Sequence, residues 1–487
     1  MAKWAIVRLL AVGMVCLMGG RAWADLEGSI QKVLADKLLA KATVGIQIVA
    51  LGEDPGQDRL LYEHNIATPL IPASNMKVVT TSAAMELLGA DFRFRTLLVK
   101  RGEDLILVGD GDPSFGDAEL LKKVHWESTT VFKNWAQELK KVGITRFRNL
   151  LVDDSVFDET FLHPSWPAGQ QQTHYMAQVC GMAFNANCID FYVRSNGAGK
   201  AVSYRTDPST KYIAVSNSCM GGGQNAVWLS RLPGGNQITL RGTCSARGEA
   251  AFRVTVHDSA LCAATVLSET LTAAGITMEG KVGRDRTVRA QLMQDKTGAT
   301  CTLLAMHETP LTLVLARANK DSMNMYAESL CKRMGYAVSG KSGSWENGTA
   351  AVGGFLKKIG IDEKDFHLDD GCGLSRKDSV SAQAMARVLA HNFHSPHRMD
   401  FINSLAVGGE DGTLDNRFKQ DLRGRVMAKT GYIAGVSALS GYVKGRDNRW
   451  YAFSILMNGL PGGTNSRAKL LQESIVKAID TQTKSQK

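Results

Sequence analysis

The two ends of this 487-residue chain carry the strand and helix patterns of a single sheet, and that bounds the fold more tightly than any other feature. Residues 26–90 read as a helix, a strand (Thr43-Val-Gly-Ile-Gln-Ile-Val-Ala50) and a second helix. The second helix starts near Pro72 and runs through Val78, Ala83 and Leu87 to Gly89. Proline in the first turn and glycine after the last are ordinary helix punctuation. Far downstream, Arg425-Val-Met-Ala-Lys-Thr-Gly431, Val436-Ser-Ala-Leu-Ser-Gly-Tyr-Val443 and Trp450-Tyr-Ala-Phe-Ser-Ile-Leu-Met457 are β runs, and a helix follows from Arg467 to Lys484. Helix–strand at the front and strand–strand–strand–helix at the back predict one sheet built from both ends of the chain, with the middle inserted.

Residues 93–290 differ in texture. Short β-patterned runs and turn glycines dominate: Asp104-Leu-Ile-Leu-Val-Gly109, Leu150-Leu-Val-Asp153, Cys188-Ile-Asp-Phe-Tyr-Val193 and Phe252-Arg-Val-Thr-Val256. A helix–Gly–Ile junction recurs at Leu139-Lys-Lys-Val-Gly-Ile144 and Leu271-Thr-Ala-Ala-Gly-Ile276, and once beyond this region at Leu356-Lys-Lys-Ile-Gly-Ile361. Each predicts a helix that ends on glycine before a β run. The chain length calls for two or three domains.

Three short motifs occur in order: Ser74-Asn-Met-Lys77, Ser322-Met-Asn324 and Lys429-Thr-Gly431. Singly they are weak. Serine with lysine three residues on also occurs at Ser29, Ser329, Ser466 and Ser474, and Lys296-Thr297-Gly298 repeats the third motif. Context separates the copies. Ser74 follows Ile71-Pro72-Ala73 at a helix start, where the i, i+3 spacing puts hydroxyl and amine on one face. The other four serines lie within helices and read as surface positions. Lys429 precedes an apolar run, as a strand edge does, whereas Lys296 lies in a polar turn and precedes Ser322, the wrong order.

The chemistry needs all three parts. Ser74 is the candidate nucleophile for a carbonyl. Lys77, in an apolar setting that would lower its pKa, is the candidate base. Ser322 and Asn324 would relay protons and hold the substrate amide. Lys429 and Thr430 offer a cation and a hydroxyl to a free C-terminal carboxylate. Gly431 would keep the strand edge bare for an extended peptide. The backbone N–H groups of Ser74 and Tyr432 are the candidate oxyanion hole.

These motifs are the signature of penicillin-recognising serine enzymes. The chain resembles the D-alanyl-D-alanine carboxypeptidase/endopeptidase family of class C low-molecular-mass penicillin-binding proteins, the penicillin-binding protein 4 type (peptidase family S13). Further landmarks carry the resemblance: Gly109-Asp-Gly-Asp-Pro113, Leu151-Val-Asp-Asp-Ser-Val-Phe157, Asp370-Gly-Cys-Gly-Leu-Ser-Arg376, Asp411-Gly-Thr-Leu414 and Lys429-Thr-Gly-Tyr-Ile-Ala-Gly-Val436. The resemblance implies an α/β (α+β) fold: a transpeptidase/β-lactamase-like catalytic domain (residues 25–92 and 291–487) with two inserted domains. Domain II would take 93–165 and 256–290, and domain III, nested in it, 166–255. It implies hydrolysis of terminal D-Ala and of D-Ala–diaminopimelate cross-links in peptidoglycan stem peptides, through an acyl-enzyme, with covalent inhibition by β-lactams. It needs no cofactor or metal, and it leaves room for a homodimer. By position Arg376 resembles a family arginine near the substrate, and Asp153 with Phe157 an acceptor-side pocket. A structural ion pair and strand-end packing are the plainer readings of these three. Two residues depart from the family pattern: Cys372 stands where serine is usual, and Tyr432 where a small hydroxyl residue is common.

The rival readings each lack something. A β-lactamase needs an efficient deacylating base, and the Glu-x-x-Leu-Asn arrangement is absent between Ser74 and Ser322. A non-catalytic wall binder should have lost Ser74, Lys77 or Lys429. The full insertion argues against an esterase or D-aminopeptidase on the same fold, and the Lys429–Thr430 pair favours a free C-terminus.

Composition bears on location. Lys3 and Arg8, the apolar run Leu9 to Met18 and the small-x-small site Ala22-Trp23-Ala24 read as a cleaved secretory leader over residues 1–24, which predicts a periplasmic protein without a membrane anchor. Cleavage removes Lys3, Arg8 and Arg21 and no acid, so the formal charge falls by three from +10. No basic stripe with interleaved aromatics points to nucleic acid. The residual charge suits an anionic cell wall. Of nine cysteines, Cys16 leaves with the leader. An even number in an exported chain permits disulfides, and Cys219 with Cys244, flanking a Gly-rich segment, is the expected staple, while Cys331 and Cys372 read as buried thiols.

Overall fold

The computed structural model describes residues 26–245, 248–294 and 300–484. The predicted leader and the Lys296-Thr297-Gly298 copy lie outside them. The chain divides into two compact units: one of Met1–Glu86, Leu315–Ser322 and Val352–Lys487, the other of Leu87–Val314 and Met323–Ala351.

The first unit is built on the sheet that the chain ends predict. Its strands are β1 (Thr43–Leu51), β2 (Arg59–His64), β3 (Ala406–Val407), β4 (Val426–Ile433), β5 (Val436–Lys444) and β6 (Trp450–Asn458). They pair antiparallel in the order β3-β4-β5-β6-β1-β2. β1 meets β6 in unbroken register from Thr43↔Asn458 to Leu51↔Trp450, which stitches front to back. β5 and β6 are buried at nearly every position, as strands covered on both faces must be. Ile48, Leu439 and Phe453 share an apolar cluster with Leu471, Ile475 and Ile479 of the final helix, Asn465–Lys484. Helix Ala382–Phe393 covers the sheet through a 2.7 Å bond from the Tyr442 hydroxyl to the Leu389 carbonyl.

The second unit is the β-rich middle with helix Asn324–Ser339 added. Its largest sheet runs Val282–Arg284, Leu150–Asp153, Asp104–Val108, Arg93–Arg101, Thr302–Pro310, mixed parallel and antiparallel. Ala250–Thr255, Cys188–Arg194 and Ser203–Asp207 form a second sheet, and Gln237–Cys244 is the centre of a third. One apolar cluster runs through Leu98, Phe132, Phe191, Leu240 and Leu267.

The three helix–Gly–Ile junctions share one geometry. Gly143, Gly275 and Gly360 all have φ near +80°. The following isoleucine N–H reaches back five residues, from Ile144 to Leu139 O (2.9 Å), Ile276 to Leu271 O (2.9 Å) and Ile361 to Leu356 O (3.0 Å). This is the Schellman closure, which satisfies carbonyls that a helix end leaves over.

The cysteines differ from expectation. All eight described cysteines are buried thiols, and no disulfide forms among the described residues. Cys219 and Cys244 lie near each other, one before and one at the end of the short ladder Met220↔Thr243, Gly221↔Cys244, but they pack as small apolar side chains of the core. Among the described residues no helix is long and apolar enough to cross a membrane.

Candidate active site

The turn that carries Ser74 is set by its neighbours. Pro72 precedes a 3-10 turn, Ala73–Asn75, which runs straight into helix Met76–Leu88. Ala73 has φ +48°, a conformation that L-residues rarely adopt. Such an outlier persists only where surrounding packing dictates it, and it recurs at functional turns. Ser74 thus stands just ahead of the regular helix, and Lys77 Nζ lies 2.9 Å from Ser74 Oγ. Lys77 is fully buried, and its amine also donates to the Cys372 carbonyl at 2.9 Å.

β4 runs against this turn. Asn75 ties the two together: its amide nitrogen donates to the Lys429 carbonyl (2.7 Å), and its oxygen accepts from the Ser440 hydroxyl (2.8 Å) and N–H (3.1 Å). Gly431 has a more local reason than a bare edge. A Cβ there would lie 2.6 Å from the Pro72 oxygen and 3.1 Å from the Asn75 nitrogen. The strand can approach the Ser74 turn only without a side chain at this position. On its other side β4 pairs with β3 only at Met427 and Ala428. Among the described residues no strand pairs with residues 429–433 there, so that stretch of edge is open to an extended peptide.

Lys429 is fully buried and donates to Ser322 Oγ (2.9 Å) and the Thr430 carbonyl (2.8 Å). Burial first, then the Lys77 charge, hold its amine well below the usual lysine range, against the opposing pull of Asp321. Ser322 has φ +57°, a second non-glycine residue in the left-handed region. The Asp411-Gly-Thr-Leu414 landmark explains how that segment is held. Asp411 accepts from Lys320 Nζ (2.6 Å) and from the Val407 N–H (2.7 Å). Thr413 and Thr430 share a 3.0 Å hydroxyl–hydroxyl bond. Asn324 begins helix Asn324–Ser339 in the second unit and donates to the Tyr175 carbonyl at 3.0 Å.

The remaining predicted positions divide. Tyr432 is 55% exposed beside the open edge, and Arg376 is exposed, with its guanidinium donating to the Ala434 carbonyl just past β4. Asp153 and Phe157 belong to the second unit and are wholly buried. Both Asp153 oxygens accept backbone N–H groups, from Ser155 (2.8 Å) and Arg289 (2.6 Å). The Phe157 ring fills the space that a Cβ on Gly111 would occupy, at 2.3 Å. That is strand-end packing.

Of the other Ser-x-x-Lys copies, Ser29, Ser466 and Ser474 are exposed on helices as expected. Ser329 is not. It is buried, its hydroxyl has no partner, and Lys332 three residues on is also buried. Lys332 is committed to Asp158 (2.7 Å) and the Thr160 carbonyl (2.7 Å), 3.7 Å from the Trp345 ring centre. The apolar face of helix Asn324–Ser339 points inward there, and serine–lysine spacing alone could not reveal which face was buried. Sequence reasoning also missed Asn75 and Asp370. A polar residue inside the apolar stretch that follows Ser74 was the available signal for the first.

Comparison with known proteins places the chain in a family. The chain is 31% identical over 497 residues to the D-alanyl-D-alanine carboxypeptidase of Actinomadura sp. (strain R39), covering 94% of this chain and 87% of that protein. It is 26% identical to D-alanyl-D-alanine carboxypeptidase DacB of Haemophilus influenzae, over 89% of this chain and 91% of the relative. The crystal structure of penicillin binding protein 4 (dacB) from Haemophilus influenzae superposes with a TM-score of 0.75 at 23% identity, covering 93% of this chain and 99% of the other, so the two share a fold. Residues 26–482 match the model of one family, and the chain belongs to it: the D-Ala-D-Ala carboxypeptidase 3 (S13) family.

Proposed function

We propose that the chain is an exported serine DD-peptidase that removes the terminal D-Ala of peptidoglycan stem peptides and opens D-Ala–diaminopimelate cross-links, through an acyl-enzyme on Ser74. The observation that carries this reading is the 2.9 Å contact of Lys77 Nζ with Ser74 Oγ, on a turn packed against β4 with its buried Lys429. Lys77 takes the Ser74 proton as Oγ bonds to the carbonyl carbon of the penultimate residue. The oxyanion is held by the N–H groups of Ser74 and Tyr432. Collapse breaks the peptide bond, and the departing amine receives a proton through Lys77 and Ser322. Water then attacks the ester, giving its proton back by the same route, and Ser74 is regenerated. Lys429, Thr430 and Arg376 take the terminal carboxylate, Asn324 the substrate amide, and residues 429–433 pair with the peptide backbone. The inserted region is divided as domain II with domain III nested in it, and the leader delivers the protein to the periplasm.

β-Lactams present a strained amide and a carboxylate to the same groups. Intact-mass measurement after benzylpenicillin, with peptide mapping, should find one stable adduct on Ser74 and none in Ser74→Ala. An adduct on another serine, rapid turnover of a chromogenic cephalosporin, or no release of D-Ala from a stem pentapeptide would each overturn the proposal.

A further inference from the structure

We infer that Asp370, braced by Asp378, is a positioning residue for Lys77, acting through the backbone of residues 371–373. The inference rests on Lys77 being the proton acceptor proposed above. The Asp370 carboxylate is the hub of its loop. Oδ1 accepts from the N–H groups of Cys372 (2.9 Å) and Gly373 (2.6 Å), and Oδ2 from that of Ser375 (2.7 Å). Three backbone donors on one buried carboxylate leave the loop little freedom.

The outer side of the same loop meets the nucleophile helix at three points. Thr80 Oγ1 donates to the Gly371 carbonyl (2.6 Å) and Lys77 Nζ to the Cys372 carbonyl (2.9 Å). Gly373, at φ +80°, passes so close that a Cβ would lie 1.8 Å from the Ala73 oxygen. Every one of these contacts is made by loop backbone. The Cys372 carbonyl fixes one N–H direction of Lys77 and so aims the amine at Ser74. Cysteine in place of the usual serine is compatible with that role, because the carbonyl and not the side chain makes the contact.

Asp378 holds the hub. It is wholly buried, and its Oδ1 accepts from the Asp369 (2.7 Å) and Asp370 (3.2 Å) N–H groups. Its Oδ2 is enclosed with no donor to accept from, and the Asp370 carboxyl is its neighbour. Burial first, then the charge of the neighbouring Asp370, push the Asp378 carboxyl well above the usual carboxylate range, which favours a protonated Asp378 able to donate to Asp370.

The test compares Asp370→Asn, Asp378→Asn and Asp378→Ala by kcat and KM on a D-Ala-D-Ala peptide, by Ser74 acylation rate with benzylpenicillin, and by thermal midpoint. Asparagine at 370 keeps the size but turns one oxygen into a donor facing a donor. It should cut kcat and acylation by about 10²-fold, the cost of a misplaced reacting group, with KM changed less than about threefold. Asparagine at 378 can still donate to Asp370, so it should recover most of the loss that Asp378→Ala causes. A purely structural role would move KM and stability with kcat and would not distinguish the two residue-378 variants. Unchanged kcat in Asp370→Asn, or equal loss in Asp378→Asn and Asp378→Ala, overturns the inference. If Asp370→Asn does not fold, the residue-378 pair decides alone. A wild-type protein that is not acylated on Ser74 defeats the proposed function instead.

Discussion

Lys429 should couple pH to stability and, as the carboxylate partner proposed above, to binding, and the sign follows from its burial. Its native pKa lies below that of the unfolded chain, so between the two values the unfolded state holds more protons and stability rises with pH. The cost of burying the ammonium is felt in full below the native pKa. Binding runs the other way. An incoming carboxylate favours the charged amine, so above the native pKa of Lys429 binding must take up a proton. The kcat/KM for a peptide with a free C-terminal carboxylate should therefore fall with rising pH, approaching about tenfold per pH unit for one linked proton. Lys429→Arg, which stays charged throughout, should shift that decline out of the measurable range. A flat wild-type profile would count against Lys429 as the carboxylate partner. The i, i+3 spacing announced the Ser74–Lys77 contact, because helix geometry is local. Nothing local announced that the Lys77 amine would also meet the carbonyl of Cys372, nearly 300 positions away by rough count and set there by a packed loop.

At the level of turns and strands, glycine marks two different constraints. Gly275 closes a helix with φ +84°, and nothing lies within 4 Å of where its Cβ would sit. Gly275→Ala should cost about 1–2 kcal/mol of left-handed strain and leave kcat unchanged, as denaturant titration and peptide assays would read. Gly431 has no such strain but faces the Ser74 turn. Gly431→Ala should lower acylation of Ser74 by about 10²-fold through separating β4 from that turn, with a smaller loss of stability. Equal effects of the two substitutions on kcat would contradict the packing described here. The helix–Gly–Ile junctions were legible because a Schellman cap is written in consecutive residues. The reason for Gly431 was not, since it depends on what stands opposite.

For the whole molecule, the buried thiols make a simple count. Burial pushes Cys180 and Cys188 up to about 12 and raises Cys262 too, and all eight thiols are buried, so the native protein should be inert to alkylating reagents. After denaturation without reductant, all eight thiols from Cys180 to Cys372 should react. Six reactive thiols would reveal a bond such as Cys219–Cys244. The composition permitted that staple, but core packing can use cysteine as a small apolar residue just as well, and spacing cannot tell the two apart. Chain order and hydrophobic period were enough for the strands of the two-ended sheet, the β-rich middle and the helix caps, because each such pattern is a short-range regularity. The inward turn of Ser329, the role of Asn75, the commitment of Asp153 and Phe157 to packing, and the Asp370 loop behind Lys77 came from folding. Each depends on which distant backbone arrives at a given side chain, and that is set by the simultaneous packing of elements that no stretch of sequence contains.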